Sequence, residues 1–419
     1  MNQATASRYD ALVKDDRVHA TLYTDARIFE DELEKIFYRG WVYIGHDSEI
    51  PKPGDFLTRS IGRQPVIMVR GKDGTISVLL NRCAHRGSTV CTVEQGNAKA
   101  FICPYHGWTY DLGGKLLSVS HPGGFEQSFD KSKNGLMRAA RIDSYRGFVF
   151  ACLSPTDVSL ADHLGIATKL IDRACDLSPE GEIELTAGWI RHRYSANWKM
   201  LPENDTDGYH LTFTHASFMK AVSSQYNLFA GNEKDVRAVL RDWGNGHTEI
   251  DWAPGYKRPF DWFGGGPEEK FARYLSVMEQ RYGREAAQKR AFDGPPHAII
   301  FPNLFLAEMN IVIMQPVGVN ECIQWHTPMF LKGVPEFNTR LLRQSEAAMG
   351  PASFLTSDDA TIASRNQVGL ATRNPEWLDI GRGLHREEVD SEGRRVAHLT
   401  DETTNRAFWK HYRTVMTER

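Results

Sequence analysis

Two short segments each pair a thiol with an imidazole: Cys83-Ala84-His85 and, after seventeen intervening residues, Cys103-Pro104-Tyr105-His106. The pattern C-x-H…C-x-x-H brings two soft thiolates and two imidazoles from two loops, so the four ligands can divide by type between two irons. Two cysteines on one iron and two histidines on the other hold a [2Fe–2S] cluster, with a potential well above that of an all-cysteine cluster. Gly87 and Gly107 follow the ligand pairs and let the backbone turn close to the inorganic sulfides, and Trp108 is placed to shield the cluster from water. The same donors would also suit tetrahedral zinc. Zinc modules, however, pair Cys with Cys and His with His, so the alternation here favours iron.

A second group follows in the run Asn197-Trp198-Lys199, then Glu203-Asn204-Asp205-Thr206-Asp207-Gly208-Tyr209-His210, with His215 beyond it. Two histidines and a carboxylate form the facial triad of non-haem Fe(II) oxygenases, which leaves positions open for O₂ and substrate. In a regular helix, residues five apart point roughly 140° away from each other, so His210 and His215 can share an ion only where the helix ends or distorts. The carboxylate must come from elsewhere, and Asp358 and Asp359, at the start of a predicted helix Ser357–Leu370, are the candidates; spacing does not choose between them. Asp207, one turn before His210, is placed to hydrogen-bond its imidazole. A one-electron donor needs an acceptor, so the first constellation strengthens the iron reading of the second.

The elements that must carry these residues change texture along the chain. Runs such as Pro65–Arg70, Thr75–Leu80 and Gly147–Cys152 are rich in Val, Ile and Phe and separated by Gly-rich turns, which predicts a small antiparallel unit with metal-bearing loops. Further on, Ile183–Ser195 reads as a strand, Pro267–Phe292 as an amphipathic helix, His297–Phe301 and Asn310–Met314 as buried strands, and Phe354–Leu370 and Thr400–Met416 as helices. Strands and helices in segregated runs predict an α+β fold. The expected division is an N-terminal arm over 1–40 packing on the catalytic domain, a β domain over 41–155 and a catalytic domain over 156–419. With 419 residues and a formal charge of −3, no bulk field favours nucleic acid. No run approaches the ~20 apolar residues of a membrane helix, and the first forty residues lack a continuous apolar stretch, so the expected location is the cytoplasm. Six cysteines without a secretory leader do not suggest a disulfide framework.

Both motifs, in order and over nearly the whole chain, closely resemble the α (large) subunits of the Rieske non-haem iron aromatic ring-hydroxylating dioxygenases. The resemblance rests on C-x-H-x₁₇-C-x-x-H and on N-W-K…E-N-x-x-D-x-Y-H-x₄-H. It implies an all-β Rieske [2Fe–2S] domain followed by a catalytic domain whose antiparallel sheet is wrapped by helices. By position it implies Cys83, His85, Cys103 and His106 as cluster ligands, and His210, His215 and a late Asp as ligands of a mononuclear Fe(II). That Asp is Asp359, eight residues before Gln367 and the second of its pair. Asp207 falls on the family's bridging aspartate, which links His106 of the partner subunit to the iron ligand His210. Electrons would then cross a subunit boundary, and a homotrimer is implied.

The implied reaction is hydroxylation of an aromatic ring by O₂, giving a cis-diol. No Gly-rich dinucleotide fingerprint with strand and helix around it is present: Gly244-Asn245-Gly246 and Gly264-Gly265-Gly266 lack that context. A separate NAD(P)H reductase, with or without a ferredoxin, is therefore implied, and many relatives add a small β subunit. An apolar substrate pocket is expected against the two histidines, walled by Asn204, Phe213, His297, Phe301, Asn303, Leu304 and Phe305. The stretch around Gly244-Asn245-Gly246-His247, with the modest chain length, resembles members acting on benzoate-like acids. Two other activities fit parts of the pattern: a Rieske monooxygenase that hydroxylates once or demethylates, and a non-catalytic Rieske electron carrier. The carrier would leave His210 and His215 unexplained.

Overall fold

Strands form where apolar residues alternate or run together, and they turn where glycine permits a positive φ. In the computed structural model, which describes residues 3–222, 236–264, 268–350 and 353–418, they group into two units: residues 36–160, and residues 1–35 with 161–419.

The smaller unit is all β apart from short 3₁₀ and π-helical turns. Ile76–Leu80, Gln64–Arg70, Asp55–Ile61 and Gln95–Asn97 form a four-stranded antiparallel sheet. A small sheet of Phe101–Ile102, Thr109–Tyr110 and Leu116–Ser118 and a third of Arg141–Tyr145, Phe148–Cys152 and Val42–His46 complete it. The hairpin between Tyr145 and Phe148 turns on Arg146 (φ 49°) and Gly147 (φ 86°), both positive as a two-residue turn with the twist of its strands requires. A Cβ at Gly147 would lie 2.3 Å from His46 Nε2, so no other residue fits there. Phe56, Ile67, Leu79, Phe101, Tyr110 and Leu116 form a buried cluster that takes in the side chains of Cys83 and Cys103.

The larger unit is built on a nine-stranded antiparallel sheet. Its order is Ile190–Tyr194, Glu321–Pro328, Asn310–Gly318, Leu304–Ala307, His297–Ile300, His247–Asp251, Val239–Gly244, Arg395–His398 and Glu388–Val389. The strand Asn310–Gly318 runs past Pro316, with a register shift between Pro316 and Gly318, the kind of irregularity at which a ladder tolerates proline. The helices Met200–Asp205, Phe354–Leu370 and Thr403–Glu418 supply the rest of the scaffold that matters here. Two predicted elements are interrupted. The helix expected over 267–292 is two helices, Ala272–Tyr282 and Arg284–Asp293, because Gly283 (φ 82°) closes the first and opens the second; Pro267 lies outside the described residues. The strand expected over 183–195 is split by Gly188 (φ 83°) into Ile183–Glu184 and Ile190–Tyr194, and the first part pairs instead with Phe330–Leu331. Among the described residues no helix is long and apolar enough to cross a membrane.

A buried carboxylate ties three distant segments of this unit together. Glu32 accepts from Lys199 Nζ (2.6 Å), Tyr412 Oη (2.6 Å) and Trp198 Nε1 (2.8 Å), and both Glu32 and Lys199 are fully buried. Removing one partner of a buried ion pair strands the other charge away from water. Lys199→Met is therefore expected to cost about 3–5 kcal/mol, seen as a lower denaturant midpoint for the metal-loaded protein, with the cluster's visible spectrum unchanged under native conditions.

Candidate functional site

The two Cys/His loops fold alike. In each, the Cys N–H donates to a carbonyl five residues on (Ser88, Trp108; both 2.8 Å), and the glycine four residues on donates back to the Cys carbonyl (Gly87, Gly107; both 3.0 Å). Gly87 and Gly107 adopt φ of 75° and 67°, which the turn requires. Asn81, buried at the foot of the first loop, accepts from the N–H groups of Val90 and Cys91 and donates to the Cys91 carbonyl. Cys83 and Cys103 lie in the core, whereas His85 is exposed and His106 half-buried. The ring of His85 stacks on Trp108 (4.8 Å, 6°) and lies 4.6 Å from that of His106.

Tyr110 Oη accepts from Ala84 N–H (3.1 Å), which leaves its own proton for Cys83 Sγ at 3.1 Å. Burial alone would raise the Cys103 thiol, but the backbone N–H groups of Tyr105 and His106 turned towards it hold it below its ordinary value. The loops thus present sulfur inside and imidazole outside, a donor set that fits a two-iron cluster.

In the larger unit, the helix that would have separated His210 from His215 is a single turn. His210 caps the N-terminus of Leu211–Thr214 and His215 its C-terminus, so both rings fold to one side. Asp358 and Asp359 lie early in Phe354–Leu370, capped by Ser353, and point about 100° apart as neighbours on a helix do. Asp359 faces the histidines: its Oδ1 is 3.2 Å from His215 Nε2 and 3.8 Å from His210 Nε2, and the two Nε2 atoms are 3.2 Å apart. Metal–ligand bonds of roughly 2.0–2.2 Å put neighbouring donor atoms about 3 Å apart, close to two of these three separations. Asp359 Oδ1 is buried with no hydrogen-bond partner, an atom waiting for a cation. Among the described residues this is the group of three whose donor atoms converge closely enough for one ion.

The far side of each imidazole is held by a carboxylate. Asp207 Oδ2 lies 3.2 Å from His210 Nδ1, and Asp358 Oδ2 lies 3.4 Å from His215 Nδ1. Burial works against charge on His215, but Asp359 and Asp358 outweigh it and raise its pKa. Asp205 is pushed well above the usual carboxylate range, first by burial and then by the Asp359 carboxylate; a bound cation would relieve that repulsion. Gln367, two turns along from Asp359, accepts from Asn197 N–H (2.8 Å) and donates to Asn320 Oδ1 (2.7 Å), which fixes the helix against the segment leading to His210.

The expected pocket wall is only partly assembled. His297 and Phe305 lie on the sheet face towards the metal helices, with ring centroids 4.9 Å apart; His297 Nε2 donates to the Asp205 carbonyl (2.8 Å). Asn204 is half-buried beside Asp205, and Asn303 is buried in the turn between strands. Three residues depart from the expectation. Phe213 is 81 % exposed, on the outer side of the single-turn helix. Leu304 pairs with Ile300 and Ile313, so the two-residue alternation points it to the opposite face of the sheet. Phe301 packs its ring on Phe408 and His411 of the C-terminal helix. Tyr110, beside Cys83, and Gln324, which donates to Asp205, are not singled out by the sequence; the alternation of Cys322, Gln324 and His326 with apolar neighbours along one strand is the signal that bears on Gln324.

Residues 40–128 match the family model described as the Rieske [2Fe-2S] domain, and residues 183–418 that of the ring hydroxylating alpha subunit (catalytic domain). The anthranilate 1,2-dioxygenase large subunit of Acinetobacter baylyi is 33% identical over 382 residues, covering 88% of this chain and 80% of that protein. The toluate 1,2-dioxygenase subunit alpha of Pseudomonas putida is 32% identical, with coverage of 93% and 88%. The crystal structure of naphthalene 1,2-dioxygenase from Rhodococcus sp. bound to indole superposes with a TM-score of 0.83 at 26% identity, over 100% of this chain and 98% of that one.

The geometry separates the roles of the adjacent aspartates by mutation. Asp359→Ala is expected to abolish retention of the mononuclear iron, measured by metal analysis, while the cluster's visible and EPR spectra stay intact. Asp358→Asn keeps all three donor atoms and is expected to weaken metal binding only by about 10–100-fold. Matched along both of its domains and by relatives spanning most of its length, the chain belongs to the α (large) subunits of the Rieske aromatic ring-hydroxylating dioxygenases, whose cofactors are a Rieske [2Fe–2S] cluster and a mononuclear non-haem iron.

Proposed function

We propose that this chain is a terminal oxygenase component that adds both atoms of O₂ to the ring of an aromatic carboxylic acid as a cis-diol. Its electrons come from a separate NAD(P)H reductase, with or without a ferredoxin. The observation that carries the reading is the convergence of His210, His215 and the unpaired Asp359 Oδ1 in a chain that also presents the Cys83, His85, Cys103 and His106 loops. The aromatic-acid substrate class is supported by the anthranilate, toluate and 2-halobenzoate dioxygenases among the relatives.

Cys83, Cys103, His85 and His106 would hold the cluster, and His210, His215 and Asp359 the iron. When bound, the cluster supplies electrons one at a time and the ferrous ion supplies O₂ activation. Asp207 keeps the His210 proton on Nδ1, and Asp358 does the same for His215, so both Nε2 lone pairs face the ion. Asp207 is itself fixed by the Tyr209 N–H at 2.6 Å. The buried sheet face around Phe305 and Val312 keeps bulk water from the substrate side. Asp207 also serves as the bridge between His210 and His106 of the partner subunit, so the working form is a homotrimer, with or without a small β subunit.

Purified protein should contain about three Fe per chain. With a reductase and ¹⁸O₂ it should give a product carrying two labelled oxygens; one labelled atom would make it a monooxygenase. Asp207→Asn is expected to keep both metals and to lower coupled turnover by about 10–100-fold or more. Near-normal product formation by that variant would remove the bridge.

A further inference from the structure

The helix Thr403–Glu418 buries Phe408, Trp409, Tyr412, Val415 and Met416, while Arg406, Lys410 and Arg413, spaced four and three apart, fall on one stripe along it. That stripe borders a cavity of about 330 Å³ that lies wholly within the larger unit. Two strands of the sheet supply the opposite wall. Leu240 pairs with Ala397 and Arg241 with Val396, so alternation sets Asp242 and Arg395 on the face of Leu240 and Ala397, towards this helix. Lys14 and Asp15, just after the helix Gln3–Leu12, close the cavity at one end.

Five cations and three carboxylates line this cavity, an excess of two positive charges. Arg406 and Glu387 are already matched. Glu387 Oε1 accepts from Nε and Nη2 of Arg406, Thr403 Oγ1 from the same Nη2, and the Ile380 and Arg382 carbonyls from Nη1, so every N–H of that guanidinium is engaged. The other four cations keep donors to spare. Arg395 gives only Nη1 to Glu387 Oε2 (3.1 Å), Arg413 gives Nη1 to the Val13 carbonyl (3.2 Å), and Lys14 gives one N–H to the Asp10 carbonyl (2.9 Å). Lys410 has no hydrogen-bond partner among the described residues; it acts only electrostatically, on Asp242. The two remaining carboxylates do not satisfy these donors. Asp15 is 88 % exposed, with its Oδ1 3.8 Å from Arg413 Nη2, beyond hydrogen-bond distance. Asp242 Oδ1 accepts from the Gly244 N–H (2.8 Å), and burial raises its pKa against the pull of Lys410 and Arg395.

We infer that this cavity binds a small dianion, a short dicarboxylate or a phosphoryl group, held by Lys410, Arg395, Arg413 and Lys14. The excess of two positive charges sets the charge of the ligand, and the donor forks of the two arginines suit oxyanions. None of the metal-binding residues lines the cavity, and the inference does not depend on the ring-hydroxylating reading. The same helix nevertheless grips the segment that leads into His210. Thr404 Oγ1 donates to the Thr206 carbonyl (2.7 Å), and Trp409 Nε1 donates to Glu203 Oε1 (2.6 Å). A ligand that neutralises the charged stripe therefore stabilises the helix and, through it, that segment.

The test uses the metal-loaded protein and three probes: glutarate, inorganic phosphate, and pentanoate as the monoanion that matches glutarate in length. None carries an aromatic ring, so none competes for a site that takes one. Calorimetry at low ionic strength should show one site per chain for glutarate or phosphate, filled about tenfold or more tightly than by pentanoate, with affinity falling as salt is added. The tighter of the two dianions identifies the ligand as a dicarboxylate or a phosphoryl compound. Lys410→Gln and Arg395→Gln should each weaken that binding by about fivefold or more, and Asp242→Asn, which removes a competing carboxylate, should tighten it. Iron content and the cluster's visible spectrum should stay unchanged in all three variants, which separates lost binding from lost folding. The dianion should also raise the Tm of the wild-type protein and leave that of Lys410→Gln nearly unmoved. No preference of either dianion over pentanoate, binding that survives both Lys410→Gln and Arg395→Gln, or weaker binding by Asp242→Asn would overturn the inference.

Discussion

A carboxylate oxygen that is buried and given no donor is under constant pressure to find one, and Asp359 Oδ1 is held in that condition. Much of the larger unit can be understood as what keeps it there. The Ser353 cap and the Gln367 staple immobilise its helix at both ends. Asp207 and Asp358 occupy the Nδ1 atoms of the two histidines. Glu32, Lys199, Trp198 and Tyr412 fix the segment that leads into His210. A site assembled this way gives up stability to hold three donor atoms together, and a cation restores it.

The smaller unit solves a different problem. Its sulfur ligands are buried beside Tyr110 and its imidazoles lie at or near the surface. Sulfur is thereby kept dry, with Tyr110 beside Cys83, and the histidine edge faces outward. The two loops share their backbone hydrogen bonds although their histidines stand at different offsets from cysteine.

What could be read from the chain in advance followed from local chemistry. Cys83, His85, Cys103 and His106 declare themselves by type and spacing, and the strands around them by alternation. The pairing of His210 with His215 was legible as a demand for a broken helix, which the one-turn Leu211–Thr214 meets. What stayed hidden depends on register and rotation. Leu304 and Phe305 are neighbours in sequence, yet only strand pairing says that Leu304 faces away from the metal helices. Asp358 and Asp359 differ only by about 100° of helix, a distinction invisible until the helix is docked. Gln324 looks like a scattered polar residue in a strand until Asp205 and Tyr194 close on it.

The split of the larger unit around residues 36–160 has a consequence for how the protein is made. The smaller unit is one continuous stretch, so it can fold as soon as it leaves the ribosome. Glu32 has by then already emerged, but its partner Tyr412 lies 380 residues further along the chain. The segment that carries Glu32 must therefore wait, with a carboxylate that will become buried still in water, until the helix Thr403–Glu418 is synthesised. The two units therefore differ in timing: the smaller can mature during translation, and the larger is completed only once the helix Thr403–Glu418 has emerged.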